Sequence, residues 1–271
     1  MAVSFPLELI RARTTLMDAL DALGAHRDAF ILIGAQAVFE RTREYREVPP
    51  TFTVDADLGV DRDLIAEVPD IATVLEAAGF VGLSDRPGIW RRPDGTSVDL
   101  LAPETSAGPG RRGTRVAGQH KRAIGRAAGL ELALLDNSPM VLRSFDATRS
   151  CDLKVAGPAA LICSKAFKLQ ERVSAMRSGA RSRVKPKDAG DVYRLLLVTD
   201  PPDVRGVFVD GAGDPVAGHA IKIGRMYFES LFAENAIGVE LAVADLGDVL
   251  PADRVRSTIA AWMRDFMRTG I

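Results

Sequence analysis

The sequence predicts an α+β fold: a mixed β-sheet flanked by helices, followed by a mainly helical C-terminal part. Two observations predict it. Up to residue 157, short apolar runs bounded by Gly and Pro recur at strand length, with only a few helical stretches between them. From Pro158 onward, amphipathic helical segments follow one another. The expected division is 1–150 and 151–271, with the change of character near 150–157. At 271 residues the chain suits one large domain or two ordinary ones.

Taken in order, residues 6–24 carry Leu9, Leu16, Leu20 and Leu23 at helical spacing and stop at Gly24. Phe30 to Ile33 read as a short buried strand, Gly34-Ala35 as a tight turn, and Gln36 to Glu40 as the start of a helix. Residues 51–60, "TFTVDADLGV", read as a strand, and 61–80 as a helix closing at Gly79 and followed by short strands. Residues 96–103 read as a strand stopped by Pro103. A Gly-rich basic loop covers 105–126, and "LELALLD", "MVLRSF" and "CDLKVAG" are expected as three further strands. Helices are expected over 158–177, 187–198, 216–236 and 252–268.

Composition excludes several classes. A formal net charge of −1 gives no global case for nucleic-acid or membrane affinity. Cys151 and Cys163 are too few for a disulfide framework and stand at no metal-ligand spacing with His, so a reducing cytoplasm is expected. The N-terminus lacks a signal-peptide pattern, and no apolar run reaches membrane-spanning length. His26, His120 and His219 are scattered, and Trp90 and Trp262 sit in amphipathic contexts; all five read as surface or packing residues. No G-x-S-x-G is present, which argues against a hydrolase elbow.

The chemistry-bearing residues are acids on strands. Asp55 and Asp57 are two residues apart, so they point to the same face, on the order of 7 Å apart along the backbone. Like charges so placed repel unless a cation lies between them. Asp99 interrupts a second apolar strand between Val98 and Leu100, where an acid needs a reason. Three such acids can hold Mg²⁺, which takes a few carboxylates together with substrate phosphates. Gly34, at a strand-to-helix turn, lets backbone approach a phosphate closely. Lys165, Lys168 and Arg172 share one side of a helix, and Asp188 and Asp191 follow in the next. Arg111, Arg112, Arg115, Lys121, Arg122 and Arg126 form a basic run with no acid, and a second run adds Arg172, Arg177, Arg181, Arg183 and Lys185. These could grip a polynucleotide backbone, and equally could be solvated loop.

As an ordered set these residues resemble the nucleotidyltransferase superfamily that includes DNA polymerase beta, and within it the AbiEii and MenT-type toxins of type IV toxin–antitoxin systems. The matching pieces are Ile33-Gly34-Ala35, Val54-Asp55-Ala56-Asp57-Leu58, "VDLL" at Asp99, and Pro158, Leu161, Lys165, Arg172, Lys187, Asp188 and Asp191. They run over about residues 28–198. The chain departs from the pattern in having Ala35 where a hydroxyl or a second Gly follows the first Gly.

The resemblance implies an N-terminal nucleotidyltransferase domain and a helical domain that lends Lys and Asp to its cleft. It implies Mg²⁺ on Asp55, Asp57 and Asp99, with Asp99 able to act as general base. Lys165 or Lys168 would contact the triphosphate, and Asp188 would orient the lysine or the nucleotide. Gly34, Ala35 and Arg172 complete the expected nucleotide contacts. The implied reaction transfers a nucleoside monophosphate from an NTP to a hydroxyl, with the 3′ end of tRNA as preferred acceptor, and a separate antitoxin restrains it. Alternatives are a small aminoglycoside-like or protein hydroxyl as acceptor, or a silent nucleotide-binding module.

Overall fold

The computed structural model describes residues 5–45, 47–49, 53–108, 113–179 and 185–268. It is α+β, with a mixed sheet and about half of its residues helical. Helix α1 (Leu7–Ala22) is followed by strand β1 (Phe30–Ile33), whose four residues are all buried, and by helix α2 (Gly34–Thr42) without an intervening loop. Strand β2 (Asp55–Val60) runs antiparallel to β1, with Ile33 opposite Asp57. Strand β2 is shorter than predicted: Thr53 and Val54 precede it unpaired, and Thr51 and Phe52 lie outside the described residues.

The helix predicted over 61–80 is largely absent. A single 3-10 turn forms at Arg62–Leu64, and helix α3 spans only Ile71–Ala77. Pro69 explains the break: it biases Val68 away from helical backbone, and Asp70 then caps α3 by accepting from the Thr73 N–H. Strands β3 (Val81–Gly82), β4 (Ile89–Arg91) and β5 (Ser97–Pro103) come next. Strand β5 lies parallel to β2, while its other edge is shared by β4 over Ser97–Asp99 and by strand β6 (Gly125–Ala127) over Leu101–Pro103. The strand expected at "LELALLD" is instead a 3-10 turn, Glu131–Leu134. Leu130, Leu132 and Leu134 alternate as a strand would, but Ala133 and Glu131 between them are buried as well, and Glu131 accepts from the Gly129 N–H at 2.9 Å, which closes a local turn instead.

Strands β7 (Asn137–Arg143) and β8 (Ser150–Ala156) form a hairpin, and β8 returns beside β1 in parallel. The sheet order is β3-β4-β5-β2-β1-β8-β7, with β6 on β5. The sheet therefore continues through Ala156. Helix α4 (Pro158–Arg177) starts two residues later, after Gly157, followed by α5 (Lys187–Leu196), α6 (Pro201–Gly211), α7 (Gly218–Phe232), α8 (Ile237–Leu246) and α9 (Ala252–Met267). Among the described residues, no helix is long and apolar enough to cross a membrane.

Alternation on β2 and β5 sets the site. Ala56, Leu58, Val60, Val98, Leu100 and Ala102 are fully buried on one face, against which α1 packs. Asp55, Asp57 and Asp99 are left on the other. Helix α4 stands on α2, α5, α7 and the 131–134 turn. Phe208, Phe228, Phe232, Trp262 and Phe266 form an aromatic cluster that closes the helical core.

Candidate functional site

The register of β2 and β5 places Asp57 directly beside Asp99, and Asp55 beside Ser97. Neighbouring strands lie about 4.8 Å apart, so the Asp57 and Asp99 carboxylates share one small space. Behind Asp57 sits Gly34 at φ +68°; a Cβ added there would come 2.0 Å from Asp57 Oδ2. The turn predicted from Gly34 is thus a seat for the acid itself. Ala35, 7% exposed, is the next residue of α2 and packs inward.

Burial pushes the Asp99 carboxyl up to about 8, with Asp57 and Asp55 adding to the effect against the pull of Arg86 and Lys168. Burial, then the neighbouring Asp55, also raises Asp57, opposed by Lys168, Lys165 and Lys187. Asp99 Oδ1 is buried and has no hydrogen-bond partner among the described residues. A buried acceptor without a donor costs free energy, which a bound cation would remove. Asp55 differs: its carboxylate takes the Thr53 hydroxyl, and Gln36 Nε2 donates to its backbone carbonyl at 3.4 Å. Accordingly, among the described residues no three His, Cys, Asp or Glu side chains already form an ion-holding group. Asp57 and Asp99 are a ready pair, and Asp55 would join them by leaving Thr53.

Across from the acids, α4 supplies the cations. A cleft of about 670 Å³ opens between the sheet and α4, lined by Gly34, Asp57, Lys165 and Lys168 among others. That volume suits a small ligand. The two lysines have different environments. Lys165 is 4% exposed, and its Nζ donates to Asp188 Oδ1 at 3.0 Å and Asp191 Oδ2 at 2.6 Å. Burial alone would depress its ammonium, but Asp191 and Asp188 outweigh burial and hold it above the ordinary lysine range. Asp188 is itself buried, which would raise it, yet Lys165, Lys168 and Arg172 bring it down to about 2. Arg172 also donates to Asp188, and Arg194 reaches Asp245 at 3.1 Å and Asp191 at 3.9 Å. Lys168 is the open one. Its side chain is 46% exposed, and its Nζ stands 3.9 Å from Asp188 Oδ1.

The predicted residues therefore divide. Gly34, Asp57, Lys165 and Lys168 line the cleft, Asp99 adjoins Asp57, and Asp188 anchors Lys165 and Arg172. Asp191, read only as part of a spacing pattern, is an equal partner of Lys165. Gln36 and Thr53 were not anticipated: Gln36 reaches Asp55 across 19 residues of sequence, whereas Thr53 stands two residues before it, a local T-x-D spacing that could have been read. Of the basic runs, Arg115, Lys121 and Arg122 are exposed, and Arg126 donates to the Gly108 carbonyl. Arg111, Arg112, Arg181 and Arg183 lie outside the described residues. Trp90 is buried and donates to the Ala123 carbonyl, and Trp262 packs on Phe266. Comparison with known protein families, with curated proteins and with solved structures gave no match.

Proposed function

We propose that the protein is a Mg²⁺-dependent nucleotidyltransferase that moves a nucleoside monophosphate from an NTP to a hydroxyl, with pyrophosphate released. The observation that carries this is the Asp57–Asp99 pair on adjacent parallel strands, with Asp57 seated on Gly34 and lining the same cleft as Lys168. Asp57 and Asp99, joined by Asp55, would hold the cation. When bound, it would neutralise charge on the phosphates.

The chain's own groups do the rest. The exposed Lys168 ammonium binds the phosphates as a point charge. Lys165, paired with Asp188 and Asp191, ties α4 to α5 and so holds the wall that carries Lys168 in place. Asp99, whose folded state favours the proton, would accept it from the attacking hydroxyl. The hydroxyl oxygen forms a bond to the α-phosphorus as the bond to the pyrophosphate oxygen breaks.

The acceptor reading is RNA. Exposed Arg115, Lys121 and Arg122 lie in the segment leading into β6, whose Ala127 lines the cleft. By the family resemblance, the acceptor is the 3′ end of tRNA, and the enzyme is a toxin held in check by an antitoxin. The test is incubation with Mg²⁺, each labelled NTP in turn, and total RNA, repeated with Asp57→Ala. Label entering RNA with wild type and at least about 100-fold less with the variant is expected, the scale of one lost charge-stabilising group. Label entering only protein or small molecules would reject the RNA acceptor. No transfer to any acceptor would reject the enzyme.

A further inference from the structure

The cleft has a part that the acids and lysines do not use. Phe167 of α4 and Tyr227 of α7 both line it, and their rings pair edge to face, with centroids 5.2 Å apart and planes at 79°. Both side chains are half-buried against the core. Phe167 is held from two sides. A Cβ at Gly129 would come 2.5 Å from its ring, and a Cβ at Gly224 would come 3.0 Å from it. Two glycines thus leave room for one ring at a fixed position. Leu130 and Ala128 continue the apolar lining. Phe167 and Lys168 are consecutive, so their side chains leave α4 about 100° apart, placing an aromatic wall beside the exposed ammonium. One cleft therefore offers a cation at one part and a preset π surface at another. Such a pair fits a ligand with an anionic tail and a flat aromatic head.

We propose that the Phe167–Tyr227 wall is a nucleobase subsite, on which the base of the bound nucleoside triphosphate stacks. This rests on the nucleotide reading of the same cleft and adds to it: the subsite separates a nucleoside triphosphate from bare polyphosphate. Stacking needs only a π-face, so all four bases gain from it. Tyr227 is the more informative residue to change, because Phe167 is wedged between backbone and core.

The experiment compares equilibrium binding of a nucleoside triphosphate and of inorganic tripolyphosphate, both with Mg²⁺, to wild type, Tyr227→Ala, Tyr227→Leu and Lys168→Ala. Tyr227→Leu keeps apolar bulk without a π-face and stands in if the alanine variant folds poorly. Wild type is expected to bind the nucleotide at least about tenfold tighter than tripolyphosphate, and both Tyr227 variants are expected to lose about tenfold for the nucleotide alone. Lys168→Ala is expected to weaken both ligands. Tyr227 variants that bind nucleotide as wild type does, or lose both ligands equally, overturn the subsite and leave the nucleotide reading standing. Wild type that binds neither ligand overturns both.

Discussion

At the scale of single residues, Gly34 ties the backbone to the chemistry. Its positive φ and its contact with Asp57 leave no space for a side chain. Gly34→Ala is expected to cost about 1–3 kcal/mol in backbone strain. It should also displace the Asp57 carboxylate, and with it lower nucleotidyl transfer by more than tenfold in a protein that still folds. Urea unfolding paired with a transfer assay reads both effects, and full activity in Gly34→Ala would show that the seat is dispensable. The importance of Gly34 was legible in the sequence as a strand-to-helix turn. Its partner was not, because Ile33 faces Asp57 only through strand pairing between residues 24 apart in sequence. Asp99 is similar. It stood out as an acid in an apolar run, but its unpartnered oxygen is a property of the assembled sheet.

At the scale of elements, α4 carries two lysines one turn apart with opposite duties. Lys165 lies within a buried group of carboxylates, whereas Lys168 faces open space. Removing Lys165 leaves Asp188 and Asp191 buried without their main cation, so Lys165→Ala is expected to cost about 3–5 kcal/mol. Lys168→Ala should stay within about 0.5 kcal/mol of wild type while weakening triphosphate binding. Denaturant midpoints and binding isotherms on the same two variants check this, and equal stability losses would sink the distinction. Sequence spacing put both lysines on one side of a helix but could not rank their burial. The same limit explains the misread elements. "LELALLD" alternates as a strand would, yet the hydrogen bond from the Gly129 N–H to Glu131 folds it into a turn, and 61–80 has helical content with Pro69 at its middle. Helix α8, nearly apolar on every side, had no amphipathic stripe to announce it.

For the whole molecule, the two charge clusters pull stability in opposite directions along the pH axis. Asp99 has a folded pKa near 8, above its usual 3.8, so its folded form favours the proton. The stability it contributes is present below pH 3.8 and is lost as pH rises towards 8. Asp57, raised in the same direction, adds to that loss. Asp188, brought down to about 2, contributes stability above pH 3.8 that disappears as pH falls to about 2. Cation-free protein should therefore melt lower at pH 8 than at pH 5, and Asp99→Asn should flatten that slope. Added Mg²⁺ should restore the melting temperature at pH 8. A slope unchanged by Asp99→Asn would remove Asp99 as its source.

The junction between β8 and α4 has a consequence for how the cleft is kept in register. Gly157 alone separates Ala156 from Pro158, and a Cβ there would meet the Asp136 carboxylate at 1.9 Å. That carboxylate also accepts the Ala160 N–H at 2.8 Å, and the Asp136 carbonyl accepts the Gly157 N–H at 2.8 Å. The angular phase of α4 is thereby clamped at its first turn to the sheet that carries the acids. One residue added or lost at Gly157 would turn every side chain of α4 by about 100°. Lys168 would leave the cleft and Lys165 would leave its carboxylates together, although neither residue had been touched.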